Sequence, residues 1–254
     1  MLLNAGLRLD QHHLINSLQL NPRIGLIWDI TPAFTAKLLY GSAFRAPNFF
    51  ERDVLTYSTA KLPQEELIKS YEAVAEWYPG GGVKLLGTLF YNDMTNVLIS
   101  DPVSGNTVNT GKFHTLGFEL GTEKNWDNGR QLKLTWTHNN TRDLSFNGGS
   151  WASDSPKNLV KAHYAEPLWN NKLRLGFEEI FVDERLTSNN NIAPSYHLFN
   201  INIALTKPLY GFQASLGIYN VLDQHFKIVA GPNYTQDTLA QDGRTARFRL
   251  EYSF

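Results

Sequence analysis

The seven histidines are the first side chains to consider, because imidazole serves both as a metal ligand and as a general base. His12 and His13 are adjacent, and neighbours on a strand point to opposite faces, so this pair is a poor set of metal ligands. The other five histidines show no ligand spacing: His114, His138, His163, His197 and His225. The sequence therefore predicts no metal site and no resident cofactor.

Catalysis would require a nucleophile beside a base, or two carboxylates at one place. The chain contains no Gly-x-Ser-x-Gly motif, and no histidine lies in a recognisable nucleophile motif. Glu178 and Glu179 are neighbours, so on a strand their carboxylates face opposite sides. We expect a protein that is not an enzyme, with a barrel-embedded hydrolase left open as an alternative.

The composition excludes several other classes. The chain has 254 residues, a formal net charge of -1 and no cysteine. Near-neutral charge offers no basic stripe for nucleic acid, and the lack of cysteine excludes a disulfide scaffold and thiolate zinc sites. Mean hydropathy is -0.31, and no apolar run is long enough for a membrane-spanning helix. The length fits one β-barrel or sandwich, or two small domains.

The elements that would position any site are β-strands with one apolar face and one polar face. Over Gly243–Phe254, polar residues alternate with Ala246, Phe248, Leu250, Tyr252 and Phe254. The same alternation recurs and predicts about twelve strands, near residues 3–9, 24–28, 34–40, 71–77, 83–99, 116–120, 132–136, 159–166, 173–181, 199–205, 212–218 and 246–254. In a soluble protein the apolar face would meet a core, and in an outer-membrane barrel it would meet lipid.

The connections between these strands alternate in length, which favours the membrane alternative. Short turns are predicted near Asp29, Gly81, Asn128, Asn170 and Pro208. Longer connections are predicted near His12, Arg45, Ser104, Asn147, Asn190 and Asn233, and the second of these is predicted to contain a helical turn at 63–66. Aromatic residues that suit a membrane interface lie at or beside the short turns, namely Trp28, Trp77, Trp126 and Trp169.

Several ordered segments resemble the C-terminal part of TonB-dependent outer-membrane receptors. The clearest is Tyr40–Asn48, which contains the Phe-Arg-Ala-Pro core of a strand-to-loop segment in that family. Further similar segments follow in the family's order, at 62–65, 69–72, 90–93, 97–99, 219–223 and 241–244. The resemblance implies an all-β, antiparallel, up-and-down transmembrane β-barrel, of which this chain holds about twelve of 22 strands. Residues 1–254 would then be the C-terminal barrel portion, without the N-terminal plug domain.

The resemblance also implies a function, a place in the cell and partners. The function would be energy-coupled uptake of a ferric siderophore or a similar scarce nutrient across the outer membrane of a Gram-negative bacterium. Outer-membrane lipid, the plug and remaining barrel strands, the inner-membrane TonB complex acting through the plug, and the barrel assembly machinery would be its partners. Nucleic acid would not be one.

Particular residues acquire expected roles from the same resemblance. Outer-loop side chains suited to stacking on the ligand or pairing with its charge are Arg45, Phe49, Phe50, Tyr57, His225 and Tyr234. Charged residues on the inward parity, which would contact the plug or line a hydrated lumen, are Lys37, Glu72, Glu76, Lys84, Glu119, Glu123, Lys133, Arg174 and Glu178. The signal for the assembly machinery would be Phe248, Tyr252 and Phe254.

Simpler interpretations of these residues stay open at this point. The loop aromatics could pack on one another, and the terminal aromatics could serve only as a lipid-facing surface. A complete passive channel of about twelve strands is a second alternative function. It predicts a self-closing barrel in which the first strand, near Leu7, pairs with the last strand, near Leu250.

Overall fold

The structure, a computed structural model, describes residues 1–15, 17–54, 62–100, 107–145, 149–231 and 234–253. These residues form a single π-helical turn (Phe50–Val54) and β-strands that we number in chain order: β1 (Leu2–Asp10), β2 (Gln19–Thr31), β3 (Phe34–Arg45), β4 (Glu66–Gly80), β5 (Val83–Ser100), β6 (Thr107–Asn125), β7 (Gln131–Asp143), β8 (Ser150–Trp151), β9 (Asn158–Leu168), β10 (Leu173–Val182), β11 (Arg185–Leu186), β12 (Ile192–Ala193), β13 (Tyr196–Leu205), β14 (Phe212–Tyr219), β15 (Lys227–Val229), β16 (Thr238–Ala240) and β17 (Thr245–Tyr252). No helix in the described part of the chain is long and apolar enough to cross a membrane.

One large sheet contains most of these strands, in the order β1-β2-β3-β4-β5-β6-β7-β9-β10-β13-β14-β17. Neighbours in the sheet are thus consecutive long strands of the chain. The pairing is antiparallel from β1 to β3 and from β7 to β17 along this order. The predicted all-β, up-and-down fold of about twelve strands is confirmed. Short strands form two separate ribbons, β11-β12 and β15-β16, and β8 adds to β7.

The predicted alternation of short and long connections holds for most of the sheet, but the connection after β5, predicted to be long near Ser104, is no longer than the one after β13, and its residues lie outside the described ones. Short connections follow β2, β4, β6, β9 and β13, at the places predicted from the turn residues. Two of them use consecutive left-handed backbone conformations at glycine or asparagine, with Gly81 and Gly82 after β4 and Asn170 and Asn171 after β9. Glycine and asparagine tolerate this region, so they set where these two hairpins turn.

The register places like residues opposite one another, which keeps the two faces of the sheet distinct. Between β14 and β17, Leu216 lies opposite Phe248 and Ser215 lies opposite Arg249. A shift of one residue would move every apolar side chain to the other face, so the pattern fixes the register. Phe248 is 66% exposed, and many other large apolar side chains on this parity are also exposed.

The strand arrangement counts against one alternative and corrects one expectation. Within the described residues β1 pairs only with β2 and β17 only with β14, so the self-closing pairing of the strand near Leu7 with the strand near Leu250 is not formed. The helical turn expected at 63–66 is absent, because Glu66 begins β4 and the connection is extended there. Among the described residues of this connection, the helical turn lies earlier, at Phe50–Val54.

The chain divides into two compact units. The first unit contains Met1–Ala75, Thr88–Phe118 and Asn140–Ala152. The second unit contains Glu76–Gly87, Glu119–Asn139 and Ser153–Phe254. Each unit carries long connections at one end of its strands, and these connections hold the candidate ligand-binding residues.

Candidate functional site

Arg45, at the end of β3 in the first unit, anchors the long connection that follows it. Its Nη1 and Nη2 atoms donate to the two carboxylate oxygens of Glu51 over 3.0 and 2.9 Å, which is a bidentate pair. Its Nε atom donates to Glu66 at the start of β4. The other oxygen of Glu66 accepts the backbone amide of Leu98 in β5 over 2.8 Å. Both Glu51 and Glu66 thus bind the single positive charge of Arg45. The geometry therefore favours an anchoring role over the predicted contact with an anionic ligand.

Phe49 and Phe50 lie within the segment that Arg45 holds. The Asn48 amide donates to Glu51, and the Glu51 amide donates back to the Asn48 side chain, each over 2.8 Å. This reciprocal pair has the form of a helix cap and fixes the π-helical turn. The Phe49 and Phe50 side chains are 70% and 55% exposed. Two aromatic rings are therefore presented to solvent on an ordered turn, whereas the predicted ligand residue Tyr57 lies outside the described residues.

The same connection is held at its other end by Asn109 of β6. The Gln64 amide donates to the Asn109 side chain over 2.6 Å, and that side chain donates to the Gln64 carbonyl over 3.0 Å. This side chain satisfies both backbone groups of Gln64, as a neighbouring strand would, and keeps the segment extended. It is the physical reason why residues 63–66 do not form the predicted helical turn.

In the second unit, Asp237 joins two long connections to each other. Its carboxylate accepts hydrogen bonds from Asn189, over 2.6 Å, and from Asn191. These bonds, chiefly that from Asn191, lower the pKa of the Asp237 carboxyl below its ordinary value. Thr187 is almost fully buried in the same turn. The Asn-rich loop that the sequence predicted is therefore an ordered structure with a specific anionic partner.

Arg185 forms the buried centre of this group of connections. Its Nη1 atom lies 3.2 Å from an Asp154 carboxylate oxygen, and its Nη2 atom donates to the Lys227 carbonyl over 3.0 Å. The guanidinium lies 5.4 Å from the ring centre of Tyr196, which packs on Phe226 at 4.7 Å. Sequence reasoning missed Arg185, because its neighbours come from two other connections and from the start of β13 and share no local pattern.

His225 and Tyr234 lie in the long connection between β14 and β17, and both are exposed, Tyr234 by 57%. The two predicted ligand residues of the second unit are therefore accessible on an ordered framework of loops. The structure offers rings for stacking, and in the described part of the chain no group of three or more His, Asp or Glu side chains is placed to hold a metal ion.

The inward parity of the second unit carries a row of opposite charges on adjacent strands. Lys84 of β5 lies within electrostatic range of Glu76 in β4 and of Glu123 in β6. Lys133 of β7 forms an ion pair with Glu123 over 2.9 Å. Unlike neighbours of this kind stabilise adjacent strands and leave a hydrated, mixed surface.

The row continues with polar pairs on the later strands. His163 lies opposite Lys133 on one side and opposite Glu178 on the other. Glu178 accepts a hydrogen bond from Asn200 over 2.8 Å. The polar side chains of this face thus lie beside polar partners on the adjacent strands. Contacts of these residues with a plug stay a prediction.

The remaining residues of the predicted inward set occupy the polar parity of their strands. Glu119 accepts a hydrogen bond from Thr137 over 3.2 Å, and Arg174 donates to Gln131 and to the Gly129 carbonyl. Lys37 and Glu72 lie within β3 and β4 of the first unit. Contacts of these four residues with a plug domain stay a prediction.

The last strand presents the residues expected to act as an assembly signal. Phe248 and Tyr252 are exposed, and the Tyr252 ring packs on Phe212 at 4.8 Å. Phe254 lies outside the described residues. Recognition by an assembly machine stays a prediction for these side chains.

Comparison with known proteins gives one family match. A family model described as "TonB dependent receptor-like, beta-barrel" matches residues 1–221. No curated protein matches the chain.

Solved structures resemble this fold over nearly the whole chain. The FrpB iron transporter from Neisseria meningitidis is 19% identical with a TM-score of 0.73, over 94% of this chain and 40% of its own. FpvA from P. aeruginosa, bound to heterologous pyoverdines, is 18% identical with a TM-score of 0.74, over 93% and 33%. The siderophore receptor PiuA from Acinetobacter baumannii is 15% identical with a TM-score of 0.76, over 94% and 36%.

These identities establish a shared fold, and the chain spans only 33–40% of the length of these structures. FrpB is described as an iron transporter and PiuA as a siderophore receptor.

Proposed function

We propose that this chain, which belongs to the TonB-dependent receptor-like β-barrel family, forms barrel wall and outer loops of a receptor that takes up a ferric siderophore or a similar scarce nutrient. Uptake would be energy-coupled and would involve no covalent chemistry. The observation that carries the proposal is the set of exposed aromatic rings on hydrogen-bonded connections, Phe49 and Phe50 in the first unit and Tyr234 in the second.

The chemistry of these rings suits a bulky, polar chelate. Aromatic side chains supply large contact area with little loss of conformational freedom, and they stack on planar groups of a ligand. Anchoring of the connections by Arg45, Asn109 and Asp237 lowers the ordering cost of binding, because less loop freedom is lost. Iron would arrive already chelated, so the chain itself needs no metal ligands.

The cellular setting is part of the same proposal. The family and its solved relatives are outer-membrane proteins of Gram-negative bacteria, and the exposed apolar parity of the sheet suits a lipid environment. Residues 1–254 would act as the C-terminal portion of the barrel, together with a plug that contacts the inner-membrane TonB complex. The final strand would be recognised by the barrel assembly machinery.

A binding experiment with a matched pair of tyrosines tests the ligand role. In the full-length protein, Tyr234→Ala removes an exposed ring from a long connection, and Tyr210→Ala removes an 89% exposed ring from a short turn. We expect Phe49→Ala and Tyr234→Ala each to weaken binding of a ferric catecholate or hydroxamate chelate about tenfold, equivalent to about 1.4 kcal/mol. Tyr210→Ala should bind like the wild type.

The readout is quenching of intrinsic fluorescence by the ferric chelate, titrated for each variant. Equal loss in Tyr234→Ala and Tyr210→Ala would contradict a site on the long connections. So would unchanged affinity in both Phe49→Ala and Tyr234→Ala for every chelate that the wild type binds.

A further inference from the structure

An apolar hollow of about 530 Å³ lies on the outward parity of the first unit. Its size falls within the range of about 300–1,000 Å³ that is typical of small-molecule sites. The lining includes Leu38, Ala73, Leu89 and Leu116, from four adjacent strands. The three leucines are largely exposed. Alanine is the one short side chain among these four, so the gap between the leucines falls at Ala73.

A row of aromatic rings bounds this hollow on the side of the long connections. Tyr40, Tyr71, Tyr91 and His114 follow one another across β3 to β6, with ring centres 4.9, 6.1 and 5.7 Å apart. Each ring is two residues from the corresponding lining residue of its own strand, so the rings and the lining side chains share one face. Rings with a polar edge favour the boundary between hydrocarbon and water.

Charged groups lie beyond the ring row on the same face. Lys69 and Lys112 are each two residues further from the hollow, in β4 and β6, and both are exposed. Asp93 occupies the equivalent position in β5, where its carboxylate lies 3.0 Å from Nε2 of His114. Asp93 thus lies beside an imidazole, and Lys69 and Lys112 supply positive charge at this level of the described strands.

We propose that this face binds one phosphate-bearing membrane lipid, with an acyl chain in the hollow and its phosphate at Lys69 and Lys112. The order along the surface is hydrocarbon, then phenol and imidazole edges, then cations, which matches the order of groups in a phospholipid. Lysine near a membrane surface attracts anionic headgroups, and the leucines offer apolar area to the chain. The inference rests on the proposed function in one respect, which is that the residues on the face of the hollow face lipid in the membrane.

Lipid counting by native mass spectrometry tests the site in the full-length protein. The protein is taken from nanodiscs of phosphatidylcholine containing phosphatidylglycerol, and the lipids that it retains are counted. Ala73→Phe fills the hollow. Ala75→Phe makes the same change two residues further along β4, on the same face but outside the hollow. We expect Ala73→Phe to retain one lipid fewer than the wild type and Ala75→Phe to retain the same number.

The headgroup is tested by a double variant with its own control. Lys69→Gln with Lys112→Gln should reduce the preference for phosphatidylglycerol over phosphatidylcholine roughly tenfold. Lys37→Gln with Lys161→Gln, which changes two lysines on the opposite, polar parity of β3 and β9, should leave that preference unchanged. If inorganic phosphate alone displaced the lipid, the acyl chain would contribute nothing to binding, and the role proposed for the hollow would be overturned.

Equal lipid counts in the wild type and Ala73→Phe would overturn the inference, as would an equal loss in Ala75→Phe. Binding of the ferric chelate is measured on the same preparations. Intact chelate binding with no specific lipid overturns the lipid site alone, whereas a specific lipid with no chelate binding overturns the proposed function alone.

Discussion

Arg45 and Glu66 join the end of β3 directly to the start of β4, because the Arg45 Nε atom donates to the Glu66 carboxylate. The same guanidinium holds Glu51 by two further hydrogen bonds. One side chain thus fixes both ends and the helical turn of a long connection that carries two exposed phenylalanines.

Removal of Arg45 is expected to loosen this connection without disturbing the strands. The Asn48 amide donates to Glu51, which Arg45 orients, so Arg45→Ala should increase hydrogen exchange at Asn48 and Glu51. Arg45 is half exposed, so we expect a local cost of about 1 kcal/mol. Lysine cannot make the bidentate pair, and Arg45→Lys should behave nearly like Arg45→Ala.

The matched control is Arg8→Ala, which removes another exposed arginine–carboxylate pair in the same unit, that with Asp10. Exchange at Asn48 should be unaffected in this control. Unchanged exchange in Arg45→Ala would show that Arg45 is not the anchor of the connection.

Gly82 is expected to be intolerant of any side chain. Its φ of 73° is left-handed, and a Cβ atom there would lie 2.1 Å from the Asn125 carbonyl oxygen. We expect Gly82→Ala to lower the free energy of unfolding by more than about 1–2 kcal/mol, because backbone strain and the clash add. Gly41→Ala, where nothing lies within 4 Å, should be close to neutral. Urea unfolding of both variants in the same micelle checks this, and equal effects would contradict the account.

Asp237 is expected to titrate at low pH. Hydrogen bonds from Asn191 and Asn189 lower its folded-state pKa below 3.8, so the loop contact is fully present above that value. The contact is lost as the pH falls through the lowered pKa. We expect Asn189→Ala with Asn191→Ala to raise the Asp237 pKa toward 3.8, as followed by the side-chain carboxyl resonance in labelled protein. A wild-type pKa at or above 3.8 would contradict the geometry.

The pair Glu123 and Lys133 allows a test by exchange of charge. Glu123→Lys would place a third cation between Lys84 and Lys133, and we expect a loss of up to about 1 kcal/mol because the pair is partly exposed. The double variant E123K/K133E restores the pair and should recover most of that loss. A double variant as unstable as E123K alone would show that the pairing itself contributes nothing.

Local pattern was sufficient to predict the sheet, because alternation and turn residues act between near neighbours. Gly81 and Asn170 mark turns that the structure forms, and Phe248 and Arg249 lie on opposite faces as predicted. The connections were harder, because their conformations depend on side chains from distant strands. Asn109 holds Gln64 extended across 45 residues of sequence, and Arg185 collects partners from residues 154 and 227. No local pattern contains these contacts.

The most direct test of the central claim is uptake of iron-55 from ferric catecholate and hydroxamate chelates by cells whose only receptor of this kind is the full-length protein. The account predicts uptake of at least one chelate that disappears when the gene for the energy-transducing TonB protein is deleted. Uptake that continues at the same rate without TonB would indicate a passive channel and would contradict the account.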